Sequence, residues 1–224
     1  MKKVIITWAS DWLGLALAKL LVADGIEVVN VSRRKPPIDI QHIQAEFSNS
    51  VDIKNAILEI EKKHPEFDAL VNCVWMVNFH KLDEIDFGEI TQSLQVNVSA
   101  TAALTSGLIP LIKKNNADIM IVSSTLGFKS HPNEAAYTAW TRAKRGLAHY
   151  FRSELKDNVS RVISFCPWGM QTRFHEKVTW KKIDNSLYMP VEWVALCMKQ
   201  LLELPKYMEV SEVIINRKIV KGTA

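Results

Sequence analysis

The chain has 224 residues, 48% of them hydrophobic, which is enough to bury a full core in one domain of ordinary size or in two small ones. Its net charge of +4 comes from 28 basic and 24 acidic residues that are interspersed. Short basic clusters occur only at Arg33-Arg34-Lys35 and over 142–145, whereas nucleic-acid binding needs a more concentrated basic face. No run reaches the roughly 18 apolar residues of a membrane helix, no signal segment is recognisable, and the six histidines show no ligand spacing. Cys73, Cys166 and Cys197 are odd in number and widely spaced, as buried free thiols in a reducing compartment are. The expectation is a cytoplasmic protein with no structural metal, no nucleic-acid partner and no membrane partner.

Val4-Ile5-Ile6-Thr7 is a short β-branched apolar run, which predicts a buried parallel strand. From Leu13 the apolar residues change to helical spacing, with Leu13, Leu17, Leu20 and Leu21 on one face of a helix that reaches Ala23. The tight turn between them opens a helix, where backbone N–H groups and the helix dipole would hold a pyrophosphate. Close approach of backbone to phosphate normally requires glycine, and here Trp8 and Trp12 stand at two of the places.

A second strand is predicted over 28–32, then the basic loop Arg33-Arg34-Lys35-Pro36-Pro37, and a third strand over 42–47. Ile53, Ala56, Ile57 and Ile60 mark an amphipathic helix ending near His64-Pro65. There follow a strand over 68–73, a loop over 74–81, helices over 83–94 and 96–114, and a strand over 118–124 that ends in two serines. A long helix over 134–156, a strand over 159–167 and an irregular connection over 168–183 come next. A helix over 190–204, with Val194, Met198, Leu201 and Leu202 inward, a strand over 210–216 and a basic tail complete the chain. This alternation predicts an α/β fold: one domain over 1–224, with a doubly wound, Rossmann-type parallel sheet of about seven strands. Right-handed crossovers bring the C-terminal ends of the strands to one edge, where ligands bind.

Several groups of residues fall in order on these elements. Thr7-Trp8-Ala9-Ser10-Asp11-Trp12-Leu13-Gly14 forms the first turn, and Asn72-Cys73-Val74-Trp75 follows the fourth strand. Asn97 lies on a helix, Ser124 precedes Tyr137 by thirteen residues, and Pro167-Trp168-Gly169-Met170-Gln171-Thr172 follows the sixth strand. Over essentially the whole chain this set resembles the short-chain dehydrogenase/reductase family in its compact single-domain form. The resemblance implies an NADP(H)-linked oxidoreductase acting on a small-molecule carbonyl or alcohol. Tyr137 would be the general acid–base, Ser124 would hydrogen-bond the substrate carbonyl, and Asn97 would position a proton-relay water. Thr141 stands where the family has the lysine that eases ionisation of the tyrosine. The resemblance puts the cofactor against Thr7, Trp8, Ser10, Asp11, Trp12, Leu13, Gly14, Asn72, Trp75, Pro167, Trp168 and Thr172. Arg33 would face the adenosine 2′-phosphate, with Glu46 and Phe47 beside the adenine. The helices over 96–114 and 134–156 look like the family's subunit-pairing helices, which implies a homodimer or homotetramer.

The departures from the pattern are consistent in kind. Trp8 and Trp12 replace the first two motif glycines, Trp75 and Trp168 replace two more, and Thr141 replaces the lysine with Trp140 beside it. Lys144 lies about two helical turns from Tyr137, and the register that keeps Lys144 as the lysine puts Trp140 in the tyrosine's place. Each buried indole removes roughly 150–250 Å² from water, so four or five of them fill a dinucleotide cleft. Wherever the turn needs φ > 0, tryptophan adds roughly 1–2 kcal/mol of strain. The expectation is an engineered or degenerate member with a plugged cofactor site. Three other readings stand beside it: a loosened but usable site, a non-catalytic scaffold, and a pocket remodelled for a different flat small molecule. Trp180 and Trp193 lie outside these motifs.

Overall fold

The computed structural model describes residues 1–77, 82–84, 86–171 and 188–218. Seven strands form one parallel sheet: β1 (Lys3–Thr7), β2 (Glu27–Ser32), β3 (Gln41–Gln44), β4 (Ala69–Asn72), β5 (Asp118–Val122), β6 (Val162–Pro167) and β7 (Glu212–Ile215). Their order across the sheet is β3-β2-β1-β4-β5-β6-β7, so the chain reverses direction of build beside β1. In register, Thr7 pairs with Val31 on one side and with Asn72 on the other. The C-terminal ends of β1, β2 and β4 thus share one edge, which is where a crevice opens in such a sheet.

The strands sort their side chains by alternation. Val4, Ile6, Val71, Met120 and Val122 enter one core, covered by α1 (Trp12–Ala23) and a late helix, α6 (Val191–Glu203). Ile5, Leu70, Ile119 and Ile121 enter the other, covered by α2 (Ser50–Lys63), α4 (Ala100–Asn115) and α5 (Ala135–Glu154). Because both faces are covered, the strands carry apolar residues at nearly every position, each fully buried one contributing about 1.5–3 kcal/mol. The head of α5 is an exception to this division. Tyr137 and Trp140 reach over the edge of the sheet into the first core.

Several boundaries differ from those predicted, each for a local reason. β3 ends at Gln44 because the chain then turns to α2: the Glu46 amide donates to the Asp52 carboxylate at 2.9 Å, while Ala45 and Phe47 stay buried. β6 starts at Val162, not 159, because the Arg161 amide donates to the Asp118 side chain at 2.9 Å instead of to a backbone carbonyl of the neighbouring strand. The two helices expected over 83–114 run on as one from Phe87 to Asn115, with α3 (Phe87–Leu94) joined to α4 by a π turn at Gln95–Ser99. The apolar face of that helix is a core face, with Leu104, Leu108 and Ile112 fully buried. Most of the connection predicted over 168–183, and the basic tail from 219, lie outside the described residues. Leu201 is half-buried where the sequence placed it inward, and Trp193 is exposed on α6.

Candidate functional site

The first turn keeps its backbone course despite the tryptophans. Trp8 and Trp12 have φ of 59° and 58°, the left-handed region that glycine enters freely and other residues enter at roughly 1–2 kcal/mol each. Four contacts hold the turn in place. The Trp8 amide donates to the Val31 carbonyl at 3.0 Å, and the Ala9 amide to Asn30 Oδ1 at 2.8 Å. Thr7 Oγ1 accepts from the Cys73 amide at 2.9 Å, joining β1 to β4. Asp11 caps α1 by accepting from the Trp12 amide at 2.9 Å. Gly14 is required on steric grounds, since a Cβ there would sit 2.6 Å from the Trp8 carbonyl oxygen. Leu13 is buried beneath the turn, and Ser10 is half-buried within it.

Among the described residues, the five tryptophans of these motifs form three groups where the sequence suggested one surface. Trp8 turns toward β3 and meets Phe47 edge-on, with ring centroids 6.4 Å apart. Trp12 and Trp75 meet at 4.8 Å, Trp75 and Trp140 at 4.8 Å, and Trp75 and Tyr137 at 5.5 Å, all edge-to-face. Tyr137 and Trp140 complete the cluster at 4.9 Å. Trp75 is its centre, since it touches every other member. Offset and edge-to-face contacts of this kind add roughly 0.5–1.5 kcal/mol per pair beyond the area buried. Trp168 stacks on Tyr188 at 5.7 Å, further along the same edge of the sheet.

Beneath this cluster lie the polar residues. Ser124 ends the segment after β5, and its hydroxyl accepts from the Tyr137 hydroxyl at 3.4 Å and from the Leu126 amide at 3.2 Å. Tyr137 is only 8% exposed, and burial pushes its phenol well above its ordinary range, more than the Ser124 hydrogen bond draws it down. Thr141 is fully buried and its hydroxyl donates back to the Tyr137 and Thr138 carbonyls at 2.9 and 3.1 Å, as threonines within helices do. Asn97 sits in the π turn with its amide engaged by one residue of the β4–α3 loop. Its Oδ1 accepts from the Met76 amide at 2.8 Å, and its Nδ2 donates to the Met76 carbonyl at 2.6 Å and to the Ser93 carbonyl at 2.9 Å. Asn72 donates to Thr105 Oγ1 at 3.1 Å.

The basic loop after β2 is paired locally and exposed. Arg33 meets Glu46 at 3.2 Å, and Arg34 meets Asp11 at 3.3 Å. Pro167 closes β6 as a buried residue. Thr172 and Trp180 lie outside the described residues. Two further residues belong to the site: Asn30, which the sequence reading missed, and Lys144, which it weighed only as a misplaced motif lysine. Asn30, buried in the middle of β2, holds the first turn, and also donates to Ser32 Oγ at 2.8 Å. An asparagine within an apolar strand was the available signal, because a buried amide needs partners. Lys144 is fully buried, and its amine donates to the Val74 carbonyl and, at 3.2 Å, to the Val122 carbonyl. It therefore points at the ends of β4 and β5.

Known proteins share this fold. The family model described as short chain dehydrogenase matches residues 2–182. Dehydrogenase/reductase SDR family member 4 of Mus musculus is 28% identical over 195 residues, covering 81% of this chain and 70% of its own. An uncharacterized short-chain type dehydrogenase/reductase of Sinorhizobium fredii is 24% identical over 231 residues, covering 97% of this chain and 93% of its own. Among solved structures, an alcohol dehydrogenase from the archaeon Thermococcus sibiricus, complexed with 5-hydroxy-NADP, superposes with a TM-score of 0.86 at 20% identity, covering 98% and 100% of the two chains. A serine dehydrogenase complexed with NADP+ gives 0.85 at 16% identity, covering 99% and 98%. The solved structures establish the fold, and the family match spans the first turn, the Ser124–Tyr137 pair and all but the last helix and strand. On that footing this chain, tryptophans included, belongs to the short-chain dehydrogenase family.

Proposed function

We propose that this chain descends from NADP(H)-linked carbonyl and alcohol oxidoreductases, and that its dinucleotide cleft is filled from within, leaving that activity impaired or lost. The observation that carries the reading is the contact of Trp12, Trp75 and Tyr137 across the edge of the sheet, at 4.8 and 5.5 Å. Those rings occupy the space between the first turn and the hydroxyl that would exchange a proton with substrate. Three further features support it. Trp8 packs on Phe47, where the family resemblance puts the adenine. The Tyr137 hydroxyl is buried and raised in pKa, whereas a proton-transferring group works best near the ambient pH. Thr141 donates to its own helix and supplies no positive charge to ease ionisation of Tyr137. The nicotinamide dinucleotide implied by the family does not fit residues arranged in this way, so no hydride-transfer step is assigned to the chain as it stands.

The retained Ser124–Tyr137 pair, at 3.4 Å and buried, supports the oxidoreductase lineage. It also gives the reading a test. Saturating NADPH is expected to leave the melting temperature of the parent chain unmoved, since a ligand that does not bind the native state cannot stabilise it. The combined variant Trp8→Gly, Trp12→Gly, Trp75→Gly, Trp168→Gly and Thr141→Lys is expected to gain an NADPH-dependent rise. A clear rise in the parent, or none in the reverted protein while it remains folded, would overturn the proposal.

A further inference from the structure

Among the described residues, Lys144 is the one fully buried lysine, and no carboxylate there is paired with it. Its amine is enclosed on four sides. The Val74 and Val122 carbonyls accept from it at the ends of β4 and β5, and the rings of Trp75 and Trp140 lie 5.9 and 5.1 Å away. The titratable groups around this box are the Cys73 thiol, next to Val74 after β4, and the Tyr137 phenol, which shares Trp75 and Trp140 as neighbours. Burial pushes the Cys73 thiol up to about 12, so it stays neutral and supplies no counter-charge, and the phenol is held neutral in the same way.

We propose that Lys144 makes closure of the cleft proton-dependent: uptake of a proton favours the state in which the Trp75 indole has moved aside and the amine meets water. This rests on the reading of the cleft as filled from within. Carbonyls and ring faces stabilise an ammonium, but two of each do not replace the hydration that burial removes. Burial accordingly draws the amine down to about 7 in the closed box, against an ordinary value of 10.5. A group whose pKa is lower in the closed state binds protons preferentially in the open one, so acidification shifts the equilibrium toward opening. The Val74 carbonyl and the Trp75 ring belong to adjacent residues of one loop, so moving that loop releases a hydrogen bond and a ring contact together. Asn97, which grips Met76 through two hydrogen bonds, limits the movement to the residues before it.

The device predicts a pH profile of its own. Backbone amides over 74–77 in the parent chain, followed by hydrogen exchange corrected for intrinsic rates, are expected to lose protection roughly tenfold or more from about pH 9 to about pH 6, and to change little below that. Lys144→Met is expected to give a flat, well-protected profile. Lys144→Arg, which cannot lose its charge in this range, is expected to give a flat, poorly protected one and serves if the methionine variant does not fold. A parent profile that does not change between the two pH values, or a methionine variant with the parent's slope, overturns the proposal. NADPH titration at the same pH values separates the two readings. Binding at about pH 9 overturns the filled cleft itself, whereas a flat exchange profile without binding overturns only the role of Lys144.

Discussion

At the scale of single residues, the first turn holds side chains that its backbone disfavours. Trp8 and Trp12 keep φ near +60° because hydrogen bonds from the turn's amides to Val31, Asn30 and Asp11 fix the course of the chain around them, and because Gly14 lies close against the Trp8 carbonyl. A consequence distinguishes strain from packing. Replacing either tryptophan by alanine removes the ring and keeps the unfavourable φ, while glycine removes both. Glycine is therefore expected to be more stable than alanine at positions 8 and 12, by about 1 kcal/mol each, although glycine ordinarily costs the unfolded chain more entropy. Urea denaturation of the four single variants checks this, and equal or reversed order would show that the turn relaxes out of the left-handed region.

At the scale of elements, the sheet is tied at its opposite edge by a buried ion pair. Arg161, entering β6, meets Asp118, at the start of β5, at 2.6 Å, with the two side chains 3% and 2% exposed. The guanidinium also donates to the Leu202 carbonyl at 3.1 Å, which fastens the end of α6 to the same point. Removing one partner strands the other without solvent. Asp118→Asn is expected to cost roughly 3–5 kcal/mol. Lys206→Ala, which removes a half-exposed lysine 2.7 Å from the same carboxylate, is expected to cost less than about 1 kcal/mol. The ratio of the two costs, read from denaturation midpoints at unchanged slope, tests whether burial or mere ion pairing supplies the stability. The π turn at Gln95–Ser99 is a second element-scale device, since its extra residue brings Asn97 round to Met76. No periodicity in the sequence marks a π turn, which explains why the sequence divided one continuous helix into two.

At the scale of the whole molecule, the buried titratable groups set a pH optimum for folding. Lys144 is drawn from 10.5 to about 7, so the unfolded chain binds more protons between those values and stability rises with pH across them. Cys73, raised from 9.0 to about 12, Cys166, raised to about 11, and the raised Tyr137 act in the opposite sense once the unfolded thiols and phenol begin to ionise. Stability is therefore expected to climb from neutral pH and to turn over near about pH 9. Denaturation across that range checks it, and Lys144→Met is expected to remove the rising limb alone.

The fold was legible in the sequence because burial on both faces leaves a simple record. Ile5 and Ile6 point opposite ways and are both apolar, and the same is true of Leu70 and Val71. The first turn was legible through the company of Thr7 and Gly14, whereas the positive φ at Trp8 and Trp12, which the sequence raised only as a condition, is fixed by the structure. The division of the tryptophans was not legible, because the side that an indole takes at a left-handed residue depends on neighbours such as Phe47 and Trp75 that are remote in sequence. Lys144 was read by its distance along the helix from Tyr137, which says nothing of the carbonyls at the ends of two strands.

The contact of Trp12, Trp75 and Trp140 has one more consequence. In this run of three indoles the two outer rings each lie 4.8 Å from the central one and steeply inclined to it, so their transition dipoles are close enough to couple as excitons. Coupled absorption of this kind is expected to give the folded chain a signed pair of circular-dichroism bands that no isolated tryptophan produces. The cleft would then carry its own optical reporter, without any label, and departure of Trp75 from the cluster would be read directly as the collapse of that couplet.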